Sequence, residues 1–174
     1  TQAIASDNIQ TRTQYGLFDE LLFNIATCAD ETKFNPFSNM KINEAMNYAI
    51  DRDYVAQELY NGLAVPKYTT IAEASADRGR FAKEIRELEA KYAYNYDKAV
   101  ETITAEMEGM GAEMVDGKWT YNGQPVTLIF LIRTEDTRLL IGGYIATQLE
   151  NMGFTVERVE RTSGELSPIW NAGD

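Results

Sequence analysis

The chain has 174 residues with 27 acidic and 16 basic side chains, a formal net charge of −11, no histidine and one cysteine. That length suits a single well-buried domain spanning residues 1–174. The acidity argues against nucleic acid, where cationic contacts supply most of the affinity, and against anionic membrane surfaces. Without histidine there are no His-based triads and no His-ligated zinc sites. No apolar run approaches a membrane span, so no direct membrane insertion is expected. The start carries no initiator Met, basic n-region or signal-like core, which places it inside, or just after processing of, a larger product. Cys28 has no partner for an internal disulfide, and Thr27, Ala29 and Asp30 offer no cation to activate its thiol.

In chain order, residues 8–13 alternate weakly and predict a strand. The short apolar run at 21–25 fits a buried strand. A polar stretch at 27–39, with Pro36 in it, leads to "NEAMNYAIDRDYVAQELYNGLAVP". Ile42, Ala45, Met46, Ala49 and Ile50 recur at helical spacing. Val55, Leu59 and Leu63 continue the pattern rotated by roughly a quarter turn, at about 100° per residue. One straight helix cannot bury both sets on one surface. Two helices can, with Asp51 as N-cap of the second, Asp53 in its first turn, and Asn61 and Gly62 closing it before Pro66. Asp51 and Asp53 thus mark a structural joint rather than a catalytic pair.

Residues 67–80 read as loop, and Phe81, Ile85 and Leu88 as a third helix. Asn95 predicts the cap of a fourth, with Ala99, Val100, Ile103 and Met107 inward and Gly109 or Gly111 at its end. Asp116 and Gly117, between short β-like runs, predict a two-residue hairpin, and Asn122 and Gly123 a second turn. Residues 126–132 are nearly unbroken apolar sequence, the mark of a strand covered on both faces. Leu139, Leu140, Tyr144, Ile145 and Leu149 predict a helix closed by Gly153. Residues 154–159 predict the next strand, and Ser163 the cap of a last helix ending near Ala172. Strand, helix, strand, helix from residue 126 onward is a βαβ-type unit, so the fold class is α/β with helices on a mixed sheet.

Chemistry is sparse. Gly142 and Gly143 sit inside an apolar helical pattern rather than a phosphate cradle. Asp116 and Gly117, followed by Lys118 and Trp119, lack the alternating oxygen ligands of a calcium loop. Carboxylate pairs such as Glu101 and Glu106 fall on faces expected to be solvated. No catalytic residue, cofactor or metal site is predicted. Arg133, Thr134, Asp136 and Thr137 lie where a strand ends and a helix begins, the usual place of an α/β binding crevice. Arg133 suits an anion such as a carboxylate, with a surface ion pair as the alternative.

"NPFSNMKINEAMNYAIDRDYVAQELYNGLAVP" resembles the signature stretch of family 5 extracellular solute-binding proteins, the peptide-binding receptors of ABC importers. Pro36 and Phe37, Ala45 and Met46, the Ala49, Ile50, Asp51, Arg52 run and "GLAVP" at 62–66 fall in the family's register. "YAYNYDKA" at 92–99 is similar to the family's Tyr-x-Tyr-Asp-Pro-x-Lys-Ala helix start. "YNGQPVTLIFLIRTED" and "IATQLENMGFTVERVE" resemble its later strand–helix–strand. Departures are Lys41 and Asn43 in place of the first helix's Arg pair, Lys98 after Asp97 without the helix-starting Pro, and an unusual "TCADETK". The resemblance covers roughly residues 20–174. It implies one lobe, the second large one, of a two-lobed type II periplasmic-binding-protein-like clamp, with the opposite lobe absent. It further implies capture of a peptide or other small solute, an ABC permease as membrane partner and an extracytoplasmic location, with lipid anchoring of the intact protein. Relatives place peptide-contacting side chains at the positions of Ser163 and Trp170, where a helix cap and core packing are the alternatives. Their acid for the peptide amino terminus lies downstream of "NAGD". A two-lobe sensory domain reporting ligand to a membrane partner is the second reading, and an enzyme the third.

Overall fold

The structure, a computed structural model, describes residues 17–30 and 32–172. The strand expected at 8–13 lies outside them. The chain divides into two compact units, Thr1–Glu20 with Lys67–Lys91 and Leu21–Pro66 with Tyr92–Asp174.

The larger unit opens on a correction. Residues 21–25 form no strand, and Leu22 and Ile25 are each 61% exposed. A side chain rather than a neighbouring strand meets the end of the run: Asn35 Nδ2 donates to the carbonyl oxygens of Asn24 (2.7 Å) and, just beyond the run, Ala26 (2.8 Å). A 3-10 turn, Pro36–Ser38, leads into helix α1, Met40–Ala49, where Asn39 caps the Lys41 N–H at 2.9 Å. Ile42, Ala45, Met46 and Ala49 are buried as expected, with Tyr48 beside them. The joint is present. Ile50 leaves the helix at φ −105°, ψ 115°, and the Asp51 carboxylate accepts the Tyr54 N–H at 2.9 Å to start helix α2, Arg52–Tyr54. Arg52 braces the bend by donating to the backbone and side-chain oxygens of Asn47. The chain then widens into a π-helical turn, Val55–Leu59, in which the Tyr60 N–H bonds Val55 O at 3.0 Å. The wider turn shifts the helical phase. Ala56 is therefore the buried residue, and Leu63, expected inside, is 70% exposed. Asn61 (φ 51°) and Gly62 (φ 73°) supply the left-handed exit.

In the smaller unit, residues 67–80 are not all loop. Ser75 caps a one-turn helix α3, Ala76–Arg80, too short to show periodicity in the sequence. Arg78 pairs with Glu73 (2.7 Å) and Glu89 (3.4 Å). Helix α4, Ala82–Lys91, buries Ile85.

Back in the larger unit, Asn95 caps helix α5, Tyr96–Gly109, which buries Ala99, Ile103 and Met107 and packs on α1. Strands β1, Glu113–Val115, and β2, Lys118–Tyr121, pair antiparallel around Asp116 (φ 50°) and Gly117 (φ 77°), the left-handed pair a type I′ turn requires. Asn122 and Gly123 repeat the device into β3, Gln124–Pro125. Trp119 is fully buried, and its indole N–H donates to Met152 O at 2.9 Å. Strands β4, Thr127–Arg133, and β5, Thr155–Arg161, pair parallel in register Thr127↔Thr155 through Arg133↔Arg161, joined by helix α6, Arg138–Asn151. The α/β class holds, its antiparallel and parallel strands forming two small sheets linked where the Val126 N–H meets Trp119 O at 2.8 Å. A Cβ on Gly142 would stand 2.5 Å from an Ile132 methyl, so α6 lies close upon β4.

β4 is covered on one face, not two. Leu128 and Ile132 are buried while Ile129 is 68% exposed. Helix α6 packs on the Ile132 side of the strand through Gly142, and strand alternation puts Ile129 on the opposite side. In helix α7, Ser163–Ala172, the cap also differs from expectation. The N–H (2.9 Å) and hydroxyl (2.6 Å) of Thr162 donate to the Glu165 carboxylate, a Thr-x-x-Glu pairing that places the cap at Thr162 rather than Ser163.

Candidate ligand-binding site

The parallel pairing carries β4 and β5 to a common end, and the segments leaving them bring five of the six sequence-predicted residues together. Thr134 prolongs the ladder through its N–H to Arg161 O at 3.1 Å. Thr137 stands at the start of α6, its carbonyl accepting from Leu140 and Ile141. Arg133 turns its Nε onto Glu135 Oε2 at 2.6 Å, with Asp136 Oδ2 at 3.6 Å. The same Glu135 oxygen accepts the Ser163 N–H at 2.8 Å, so one carboxylate ties the end of β4 to the start of α7. Asp136 is gripped by Arg138 through Nε (2.8 Å), Nη2 (2.5 Å) and the backbone N–H (3.1 Å). The Arg138 side chain, above all, holds the Asp136 carboxyl well below the usual carboxylate range.

The ion pair that the sequence offers as the alternative for Arg133 is therefore made, but it engages only Nε. The two terminal nitrogens form no hydrogen bond among the described residues, and the side chain is 34% exposed. A guanidinium held at Nε presents its terminal pair to a planar anion. Trp170 lies two turns further along α7, 60% exposed, with no hydrogen bond or ion pair to the cluster among the described residues. Its ring is not part of the core of the described residues. Glu135 and Arg138, which orient the predicted residues, were missed. Their signal was the alternation Arg-Thr-Glu-Asp-Thr-Arg at 133–138, which can close upon itself.

A shallow depression of about 510 Å³ lies elsewhere in the larger unit, lined by Lys33, Phe34, Ser38, Met110, Tyr121, Asn122 and the exposed Cys28, and shares no residue with this cluster. Among the described residues no three carboxylates or cysteines are placed to hold a metal, and no helix is long and apolar enough to cross a membrane.

The model of the bacterial extracellular solute-binding proteins, family 5 (middle region), matches residues 2–174. The chain belongs to that family. No curated protein matches it. Among solved structures it is similar to NikZ from Campylobacter jejuni in complex with Ni(L-His), at 18% identity and TM-score 0.58, over 84% of this chain and 26% of that one. It is similar to the oligopeptide-binding protein AppA from Bacillus subtilis in complex with a nonapeptide, at 18% identity and TM-score 0.57, over 75% and 25%. A third likeness is to an oligopeptide-binding protein, OppA, at 19% identity and TM-score 0.60, over 84% and 22%. At these identities the likeness is one of fold, and the family 5 chain spans about a quarter of these relatives' length. Its class is the α/β type II periplasmic-binding-protein fold, and its family and neighbours are binding proteins.

Proposed function

We propose that these 174 residues form most of one lobe of the solute-capturing protein of an ABC importer. The ligand, a peptide or another small solute, is enclosed between this lobe and a second one and handed to a membrane permease. The observation that carries this reading is the family match over residues 2–174. The role is binding rather than catalysis, in an extracytoplasmic protein that is lipid-anchored when intact. Arg133 offers its terminal nitrogens to a ligand carboxylate. Thr134, Thr137 and Ser163 offer hydrogen bonds beside it, Asp136 holds the Arg138 side of the crevice, and Trp170 supplies an aromatic wall.

A cleft binder typically buries roughly 70–90% of its ligand between its walls. One wall leaves polar groups wet while the entropy cost of capture remains. Calorimetry against mixed di- to pentapeptides should therefore give micromolar binding to the intact protein. For residues 1–174 alone it should give nothing tighter than roughly millimolar, or about −4 kcal/mol. Arg133→Ala in the intact protein should weaken binding at least about tenfold, the loss of one charge-assisted pair. Micromolar binding by the 174 residues would place the whole site in this lobe and refute the two-wall reading.

A further inference from the structure

Arg133 stands near two carboxylates, and only one of them is free to hold it. Glu135 Oε2 lies 2.6 Å from its Nε, while Asp136 Oδ2 lies at 3.6 Å. Asp136 is already engaged by Arg138, through Nε at 2.8 Å and the backbone N–H at 3.1 Å. Glu135 therefore takes the Nε side of the guanidinium, which leaves the terminal edge for a two-point grip on a planar anion. The same Glu135 oxygen accepts the Ser163 N–H at 2.8 Å. A carboxylate bonded to the first residue of α7 is a fixed post rather than a swinging surface acid. Arg133 and Glu135 are 34% and 40% exposed, and pairs as open as this add little to stability. The arrangement suits orientation better than it suits holding the fold.

We propose that Glu135 is the positioning residue of this crevice: it holds the Arg133 guanidinium with the terminal nitrogens outward, set for a ligand carboxylate, without touching the ligand itself. The proposal rests on the capture role given to Arg133 above. A long side chain loses rotamer freedom when it grips a ligand, and one already held in place loses less. Charge alone argues the opposite sign. An acid beside the cation repels an incoming carboxylate, so deleting Glu135 would tighten binding if charge decided. Positioning requires the same deletion to weaken it. Glu135→Gln separates the two, because an amide oxygen can still accept both N–H groups while the charge is gone.

Two measurements on the intact protein test it: calorimetry with the mixed di- to pentapeptides, and NMR of the Arg133 Nε–H without ligand. Glu135→Ala should bind the peptides on the order of five- to tenfold more weakly, and its Arg133 Nε–H should exchange with water faster. Glu135→Gln should keep the Nε–H signal and bind at least as well as the parent. On an Arg133→Ala background, Glu135→Ala should change affinity no further. Thermal midpoints should agree closely throughout, so that a fall in affinity does not report lost structure. Binding by Glu135→Ala as tight as the parent's overturns the proposal. So do equal losses in the alanine and glutamine variants, an unchanged Nε–H signal, or a loss that persists without Arg133. If the intact protein ignores the peptides, or Arg133→Ala binds them like the parent, it is the capture role of Arg133 that fails. The Nε–H signal then decides separately whether Glu135 holds the guanidinium.

Discussion

Replacing Asp51 by alanine separates the two accounts of residues 40–60 by the sign of the effect. In a continuous helix Asp51 would be an interior residue, and alanine is the better helix former there by up to about 0.7 kcal/mol. The substitution would then stabilise. At a joint, alanine deletes the acceptor that the Tyr54 N–H finds at 2.9 Å and removes an anion from a helix start. The loss of such a cap spans about 0.5–2 kcal/mol. Tyr54 is 42% exposed, so water can replace part of the lost bond. The Asp51 N–H also keeps its own partner, the Tyr144 hydroxyl at 3.1 Å. Both facts favour the middle of the range, about 1 kcal/mol of destabilisation. For a chain of this size that corresponds to a Tm lower by about 2–4 °C. Urea unfolding followed by circular dichroism should show a lower midpoint at unchanged slope. Asp51→Asn, which keeps an acceptor oxygen, should retain most of the stability. An alanine variant equal to or more stable than the parent would refute the joint.

Two adjacent glycines should respond oppositely to alanine. At Gly142 the new Cβ would stand 2.5 Å from Ile132 Cγ2, and overpacking should cost about 1–3 kcal/mol; at Gly143 nothing lies within 4 Å, and helix propensity should give up to about 1 kcal/mol of stabilisation. Thermal melts of both variants read the pair, and like signs would contradict the packing of α6 on β4. Glu106 accepts from Lys41 Nζ at 2.8 Å and Asn39 Nδ2 at 2.9 Å, and the Lys41 bond foremost lowers its carboxyl below the ordinary value. A folded value below the unfolded one means the stabilisation is full above roughly pH 4.3 and fades as pH falls through the folded value. Glu106→Gln should therefore be less stable than the parent at pH 7 and converge with it toward pH 3, as urea midpoints at both pH values would show; a constant gap would rule this out.

Features encoded within a few residues were legible in the sequence. The hairpin turns at Asp116, Gly117, Asn122 and Gly123 could be read because few residues tolerate positive φ. The joint at Asp51 could be read because two apolar stripes out of phase cannot share a straight helix. Features set by neighbours could not. An apolar run at 21–25 looks the same whether a strand pairs with it or Asn35 holds the carbonyls of Asn24 and Ala26 at its end. The apolar run of β4 states what it would tolerate on both faces, not what lies there. The π turn at Val55–Leu59 changes the helical phase without any residue type that announces it. Of the candidate site, the location at the strand ends was legible from the βαβ pattern. The grip of Glu135 on both Arg133 and Ser163 was not, because it joins residues 28 apart in sequence.

The two tryptophans give the molecule a pair of optical signals with different meanings. Trp119 is sealed in the core with its indole N–H bonded to Met152 O, so its emission should be blue-shifted and should change when the packing between β2 and the end of α6 is lost. Trp170 stands in water on α7, the helix that Glu135 ties to Arg133, so its emission should be red and open to aqueous quenchers. One fluorescence spectrum therefore carries both the integrity of the core and the wetting of the crevice wall. Iodide, which reaches only the exposed ring, separates them without a label.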